Sequence, residues 1–82
     1  MKLKLVCVEW VDARAHAGWF EYDYKNPPKN VPVRTYGLLV HDRKDAIVLA
    51  SSYDPKEKQF ADRNEIPKGI CKTIKTIKVL EV

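Results

Sequence analysis

The chain has 82 residues, which suffices for one small domain spanning residues 1–82 and leaves no room for a second. With 45% hydrophobic and 32% charged residues, the composition excludes a disordered chain and a membrane protein. Lysine and arginine exceed aspartate and glutamate by 15 to 11. The resulting charge of +4 is lower than the dense basic stripe that a dedicated duplex-binding protein usually carries.

Residues 2–12 form the first predicted strand, because the segment is rich in β-branched residues and contains neither glycine nor proline. Both of its faces hold apolar residues, which favours a central strand or a long strand bent between two sheets. Glu9 and Asp12 interrupt the apolar stretch that follows the basic start. We therefore expect that this start is not a signal peptide.

Residues 13–30 predict a long first connection that ends in the breaker Lys25-Asn26-Pro27-Pro28-Lys29-Asn30. Within it, residues 13–18 could form one helical turn, and residues 19–24 alternate as a short strand or an aromatic loop. Residues 31–40 and 46–53 then predict two strands joined by the polar turn 41–45. Gly37, inside the first of these strands, predicts a bulge or a sharp bend of the kind that curls a sheet.

Residues 54–64 are polar and predict a loop, with Phe60 as its anchor. We expect Glu65-Ile66 to pair only briefly before a tight turn or one turn of 3₁₀ helix at residues 67–70. Residues 71–82 predict the last strand, with a helical start that becomes a strand near Ile74. The predicted fold is therefore all-β: a small, curled, five-stranded barrel of the SH3-like or Sm-like kind.

Five segments of the chain resemble, in order and spacing, a family of small uncharacterised bacteriophage proteins. They are Val8-Glu9-Trp10-Val11-Asp12, Gly18-Trp19, Thr35-Tyr36-Gly37-Leu38-Leu39-Val40, Ile47-Val48-Leu49-Ala50 and Ile66-Pro67-Lys68-Gly69-Ile70. The resemblance implies a small barrel that acts as a phage accessory protein in the cytoplasm of the bacterial host cell. It implies no catalytic residues.

Residue patterns that mark enzymes are absent from the sequence. There is no glycine-rich phosphate loop, no nucleophile elbow around Ser51 and Ser52, and no orienting partner for His41. Cys7 and Cys71 do not form a metal-binding pair with the two histidines, and free thiols are favoured over a disulfide between the end strands. We therefore predict a non-enzymatic protein without a metal or another cofactor.

Aromatic and basic residues supply the candidate binding site. Of the rings, Trp10 and Phe20 are predicted to be core residues, while Arg34 and Tyr36 share one face of their strand. Exposed rings near cations can stack on a base while the cations hold a phosphate. The candidate ligand-binding residues are Trp19, Tyr22, Tyr24, Arg34, Tyr36 and Lys68.

Lysines recur in the last strand and predict a second, anion-binding or nucleic-acid-binding set: Lys72, Lys75 and Lys78. An alternative interpretation of these lysines is a solvated strand face that guards a sheet edge. Three functions stay open: sequestration of a small anionic, nucleotide-type ligand, binding of a host protein, and binding of single-stranded nucleic acid. We also expect self-association into a homo-oligomer.

Overall fold

The computed structural model describes residues 1–12 and 31–82. These residues form five strands: β1 (Lys2–Asp12), β2 (Val31–Asp42), β3 (Ala46–Asp54), β4 (Gln59–Pro67) and β5 (Cys71–Glu81). A 3₁₀ turn at Lys68–Ile70 precedes β5, as the sequence predicts. In the described residues, no helix is long and apolar enough to cross a membrane.

The five strands form one antiparallel sheet in the order β4-β3-β2-β1-β5. The all-β, five-stranded prediction is confirmed, and β1 is internal as expected. Within the described residues β4 and β5 do not pair with each other, so the sheet stays open. These two strands are consequently its edges.

Strand β2 belongs to both halves of the sheet. Its residues 31–38 pair with β1, and its residues 38–42 pair with β3. Gly37 lies where the strand passes from one partner to the other, and a Cβ there would lie 3.0 Å from the Leu49 Cβ. The absence of a side chain therefore allows β2 and β3 to approach closely.

The sequence predicts a bulge at Gly37, whereas the structure has the irregularity of β2 three residues further along, at Val40. Gly37 pairs with Val6 in an unbroken ladder, whereas the register of β2 against β3 shifts between Leu39 and His41. Val40 is the residue left without a partner at this shift. The glycine is required for space, and the irregularity of the ladder falls elsewhere.

The core lies on the face of β1 that carries Val6 and Val8 and is completed by β3 and β4. All five residues from Ala46 to Ala50 are buried, since β3 contributes apolar side chains to both of its faces. Each fully buried aliphatic side chain contributes about 1.5–3 kcal/mol. The central cluster consists of Val6, Val8, Ile47, Leu49 and Ile66.

Trp10 is half-buried and packs against this cluster, consistent with its predicted core position. Its indole Nε1–H donates a hydrogen bond to Thr35 Oγ1 at 2.8 Å. Phe20, the other ring predicted to be in the core, lies outside the described residues.

The predicted loop at residues 54–64 is wrong. A turn covers only residues 55–58, where Asp54 Oδ1 accepts hydrogen bonds from the backbone N–H groups of Lys56 (2.9 Å) and Glu57 (3.3 Å). Strand β4 begins at Gln59 and has mostly exposed side chains on both faces, because it is an edge strand. The segment is polar because most side chains of this edge strand face solvent, and that polarity led to the prediction of a loop.

Phe60 does make an anchoring contact, since its ring centroid lies 4.8 Å from that of Tyr53 on β3. The two rings occupy opposite positions in the β3–β4 ladder. Phe60 is therefore a cross-strand partner within the sheet.

The predicted helical start of the last strand is also wrong, because β5 is extended from Cys71 onward. Its ladder with β1 has two register shifts, which leave Lys72 and Ile77 as extra residues. Each extra residue shifts the alternation of faces by one position. The apolar spacing of three and four is therefore not helical in β5: Ile70 lies in the 3₁₀ turn, Ile74 is opposite Val8, and Ile77 is the extra residue of a bulge.

Candidate anion-binding groove

A groove of about 510 Å³ runs across β2, β1 and β5 on the face of the sheet opposite the core cluster. Its size falls in the range of small-molecule sites, about 300–1,000 Å³. The sheet order accounts for its composition, because β1 brings side chains of β2 and β5 to its two sides. The lining residues are Cys7, Glu9, Arg34, Tyr36, Thr73, Lys75, Thr76 and Ile77.

Two cross-strand rows form the floor of the groove. Cys7 is the partner of Tyr36 on β2 and of Lys75 on β5. In the next row Glu9 is the partner of Arg34 and Thr73. Directly opposed residues in an antiparallel ladder project to the same face, so each row presents three neighbouring side chains.

The Tyr36 side chain is unusually open for an aromatic residue on an internal strand, with a relative exposure of 60%. Its ring and the Lys75 side chain flank Cys7 from two adjacent strands. An exposed ring beside a cation can bind a ligand that carries both a planar group and a negative charge.

Among the described residues, Glu9 is the one carboxylate that lines the groove, and it is partly neutralised. Glu9 Oε2 lies 3.6 Å from Arg34 Nε, and the Arg34 side chain is 67% exposed. An ion pair this exposed contributes little stability, so the guanidinium can exchange Glu9 for a stronger anion such as a phosphate.

The bulge at Ile77 brings a second lysine to this face. Lys78 is opposite Leu5 and Lys75 is opposite Cys7, and Leu5 and Cys7 share one face of β1. Lysines three positions apart would project to opposite faces of a regular strand. Here Lys75 and Lys78 project to the same face.

Lys72, the third predicted lysine of β5, is the extra residue at the other register shift of the ladder and does not line the groove. It is exposed, as are Lys75 and Lys78. The lysine-rich strand predicted from the sequence is therefore an exposed basic edge.

Lys68 is in a different part of the molecule from Arg34 and Tyr36. It lies in the 3₁₀ turn, where its ammonium group forms an ion pair with Asp42 at the end of β2. Its backbone N–H donates to the Asp45 carbonyl at 2.8 Å, which ties the turn to the β2–β3 hairpin. The structure gives Lys68 a bracing contact and does not place it in the groove.

Three of the predicted ligand-binding residues, Trp19, Tyr22 and Tyr24, lie outside the described residues. Of the predicted set, Arg34, Tyr36 and Lys75 come together in the groove. Cys7, Glu9, Thr73, Thr76 and Ile77 were not predicted to line it. The alternation of β1 placed Cys7 and Glu9 on one face, but only the pairing of β1 with both neighbours shows what lies beside them.

The two cysteines are free thiols in different surroundings. Cys7 lines the groove, whereas Cys71 packs against the core and its Sγ–H donates to the Pro67 carbonyl at 3.3 Å. Burial raises the pKa of the Cys71 thiol, against the opposing effect of the positive charge on Lys68. In residues 1–12 and 31–82, no three histidine, cysteine, aspartate or glutamate side chains are arranged to hold a metal ion.

No protein-family model, curated protein or solved structure matches this chain.

Proposed function

We propose that this protein is a non-enzymatic binding module that holds a small nucleotide-type anion in the groove across β2, β1 and β5. The observation that supports it best is the row Tyr36–Cys7–Lys75, which places an exposed aromatic ring and a lysine on either side of β1. Two inter-strand spacings separate the ring-bearing strand from the lysine-bearing strand, a span of about 10 Å. A mononucleotide is a comparable length.

In this arrangement the base stacks on Tyr36 and the phosphate lies toward Lys75 and Lys78. Stacking is worth about 1–3 kcal/mol per base on an aromatic side chain. Arg34 supplies a third cation at the β2 side of the groove, released from Glu9 when the phosphate arrives. The hydroxyl of Thr73 adds a neutral hydrogen-bonding group.

The phage resemblance suggests a biological setting for such a site. We propose that the protein acts in the bacterial cytoplasm as a phage accessory protein and counters host defence by sequestering a nucleotide signal. Sequestration requires tight binding without turnover, and an open groove with cations and a ring suits that requirement.

The first experiment is native mass spectrometry of protein purified from bacterial cells, followed by denaturation and identification of any released anion. Nucleotides from a panel are then titrated calorimetrically against the wild-type protein. We expect Tyr36→Ala and Lys75→Gln each to weaken binding by about tenfold or more. Lys44→Gln is the matched control, because Lys44 is an exposed lysine in the β2–β3 turn, away from the groove.

Retention of a nucleotide, together with loss of affinity in the two groove variants only, supports the proposal. If no nucleotide is retained or binds in the titrations, the proposal is overturned. A host protein recovered in stoichiometric amount by the bare chain would then be the expected partner class.

A second candidate function is binding of single-stranded nucleic acid along β5. The observation that favours it is the recurrence of Lys72, Lys75 and Lys78 on one exposed strand, with the Tyr36 ring on the other side of β1. Single strands lose affinity with a slope of about −0.7 per neutralised phosphate in a plot of log K against log salt concentration. For three lysines this predicts a slope near −2, and affinity that increases with oligonucleotide length, which a mononucleotide site would not show.

A further inference from the structure

The groove differs in charge between its two ends. Lys78 lies opposite Leu5 of β1, and Lys75 lies opposite Cys7, two residues further along that strand. Glu9 follows after another two residues and belongs to the next row. Successive rows are about 7 Å apart, so the two lysines and the carboxylate mark opposite ends of a site about 14 Å long.

A nucleotide enters a site of this kind in one orientation. Its phosphate is attracted by Lys75 and Lys78 and repelled by Glu9. Tyr36 lies across β1 from Lys75, in the row between the two ends, where its ring can stack on the base. The edge of the base that is furthest from the phosphate, its Watson–Crick edge, therefore points toward Glu9.

Glu9 is suited to accept hydrogen bonds from that edge. Its Oε2 lies 3.6 Å from Arg34 Nε, which is longer than an N–H···O hydrogen bond. An ionised carboxylate has two oxygens with about four lone-pair sites. The Glu9 side chain is 30% exposed and has lost most of its water, so the carboxylate needs another donor when Arg34 turns toward a phosphate.

We propose that Glu9 makes the groove selective for guanine nucleotides. The inference rests on the proposed function, because it names the base of the nucleotide that the groove holds. Guanine presents two adjacent donors at its Watson–Crick edge, N1–H and the N2 amino group, which match the two oxygens of one carboxylate. Charge-assisted hydrogen bonds of this kind are roughly twice as strong as neutral ones, and the paired geometry adds specificity.

The other bases match a carboxylate less well. Adenine and cytosine place one amino donor beside a ring-nitrogen acceptor, which would face the second carboxylate oxygen and repel it. Uracil has a single N–H between two carbonyl oxygens. None of these three bases offers two neighbouring donors, so only guanine satisfies both oxygens of Glu9. A bidentate pair discriminates against the wrong base by about tenfold or more.

Calorimetric titration of the full chain with GMP, IMP and AMP tests this selectivity. We expect the Kd of GMP to be about tenfold or more below that of AMP. IMP keeps N1–H and lacks the N2 amino group, so its affinity should lie between the two. Glu9→Gln presents one acceptor and one donor, the pattern complementary to adenine. This variant should weaken GMP binding by about tenfold and reverse the preference.

Glu57→Gln is the matched control, because Glu57 is an exposed glutamate in the turn between β3 and β4 and does not line the groove. It should leave both affinities unchanged, and circular dichroism shows that both variants are folded. The ratio of GMP affinity to AMP affinity separates recognition of the base from simple charge. If Glu9 did no more than repel the phosphate, Glu9→Gln would strengthen the binding of both nucleotides equally.

Two results would overturn the inference and leave the proposed function intact. One is equal binding of GMP and AMP that Tyr36→Ala and Lys75→Gln still weaken. The other is a ratio of GMP affinity to AMP affinity that Glu9→Gln leaves unchanged. If none of the three nucleotides binds, the inference and the proposed function fall together.

Discussion

The Trp10 indole Nε1–H donates to Thr35 Oγ1 at 2.8 Å across the β1–β2 ladder, on the face of the sheet opposite the groove. The bond satisfies a partly buried donor that would otherwise face the apolar cluster. Thr35 lies between Arg34 and Tyr36 in the chain. On one face of the sheet Thr35 therefore holds the tryptophan, and on the other face its two neighbours line the groove.

Removal of the Thr35 hydroxyl should therefore destabilise the fold. We expect Thr35→Val to lower the free energy of unfolding by about 1–2 kcal/mol, because the indole donor loses its acceptor. Urea unfolding followed by tryptophan fluorescence measures the change. Thr73→Val, at an exposed position of β5, is the control and should cost less than about 0.5 kcal/mol. Equal effects at the two threonines would contradict this account of the hydrogen bond.

Gly37 and Gly69 form a matched pair for a steric prediction. A Cβ at Gly37 would lie 3.0 Å from Leu49 Cβ and 3.2 Å from the Ala50 carbonyl oxygen, whereas a Cβ at Gly69 would have no neighbour within 4 Å among the described residues. We expect Gly37→Ala to cost about 1–3 kcal/mol through overpacking, and Gly69→Ala to be close to neutral. Thermal and urea denaturation of both variants check the difference. If Gly37→Ala were as stable as the wild-type protein, β2 and β3 could not be packed as closely as described.

Truncation of an aliphatic side chain should lower the free energy of unfolding far more in the core than at the edge of the sheet. Leu49 is 1% exposed and belongs to the central cluster, whereas Ile77 is 50% exposed on β5. Truncation of a buried leucine costs about 2–5 kcal/mol, so Leu49→Ala should come close to unfolding a domain of this size. Ile77→Ala should cost less than about 1 kcal/mol in the monomer. A large loss for Ile77→Ala that depends on protein concentration would indicate that the side chain is covered by another copy.

The Cys71 thiol predicts a dependence of stability on alkaline pH. Burial favours the neutral thiol, so the pKa in the folded protein lies above the ordinary value of 9.0. The stabilising contribution is complete below that ordinary pKa and is lost as the pH rises through the folded pKa. Above pH 9 the free energy of unfolding should fall more steeply in the wild-type protein than in Cys71→Ala.

Alkylation of Cys71 in a Cys7→Ala background gives a direct readout. The rate should reach half of its maximum at a pH above 9.0 in the folded protein and near the ordinary thiol value in urea. Coincident profiles in the two solvents would contradict a raised pKa.

Strong local patterns made the first three described strands predictable. β1, β2 and β3 combine β-branched residues with a clear polar turn at residues 41–45. β4 was missed because an edge strand has little reason to bury either face, so Asp62, Arg63 and Asn64 read as a loop. Hydrophobic alternation reports burial, and a strand without a buried face gives no such signal.

The groove was predictable only in part, for a reason of topology. The period of two placed Arg34 and Tyr36 on one face, and this is confirmed by their common position in the groove. Lys75 joins them because β5 pairs with β1 on the side opposite β2, which is a long-range relationship without a local signature. Lys68 departs from the group because the 3₁₀ turn holds it beside Asp42.

The bulge at Ile77 gives β5 an unusual tolerance to a change in length. Deleting a residue from a strand normally inverts every following side chain relative to the sheet. Ile77 is extra to the ladder, so its removal would leave Thr76 opposite Val6 and Lys78 opposite Leu5, as they are now. Deletion of Ile77 therefore keeps the facing of the residues on either side of it and removes one side chain from the lining of the groove.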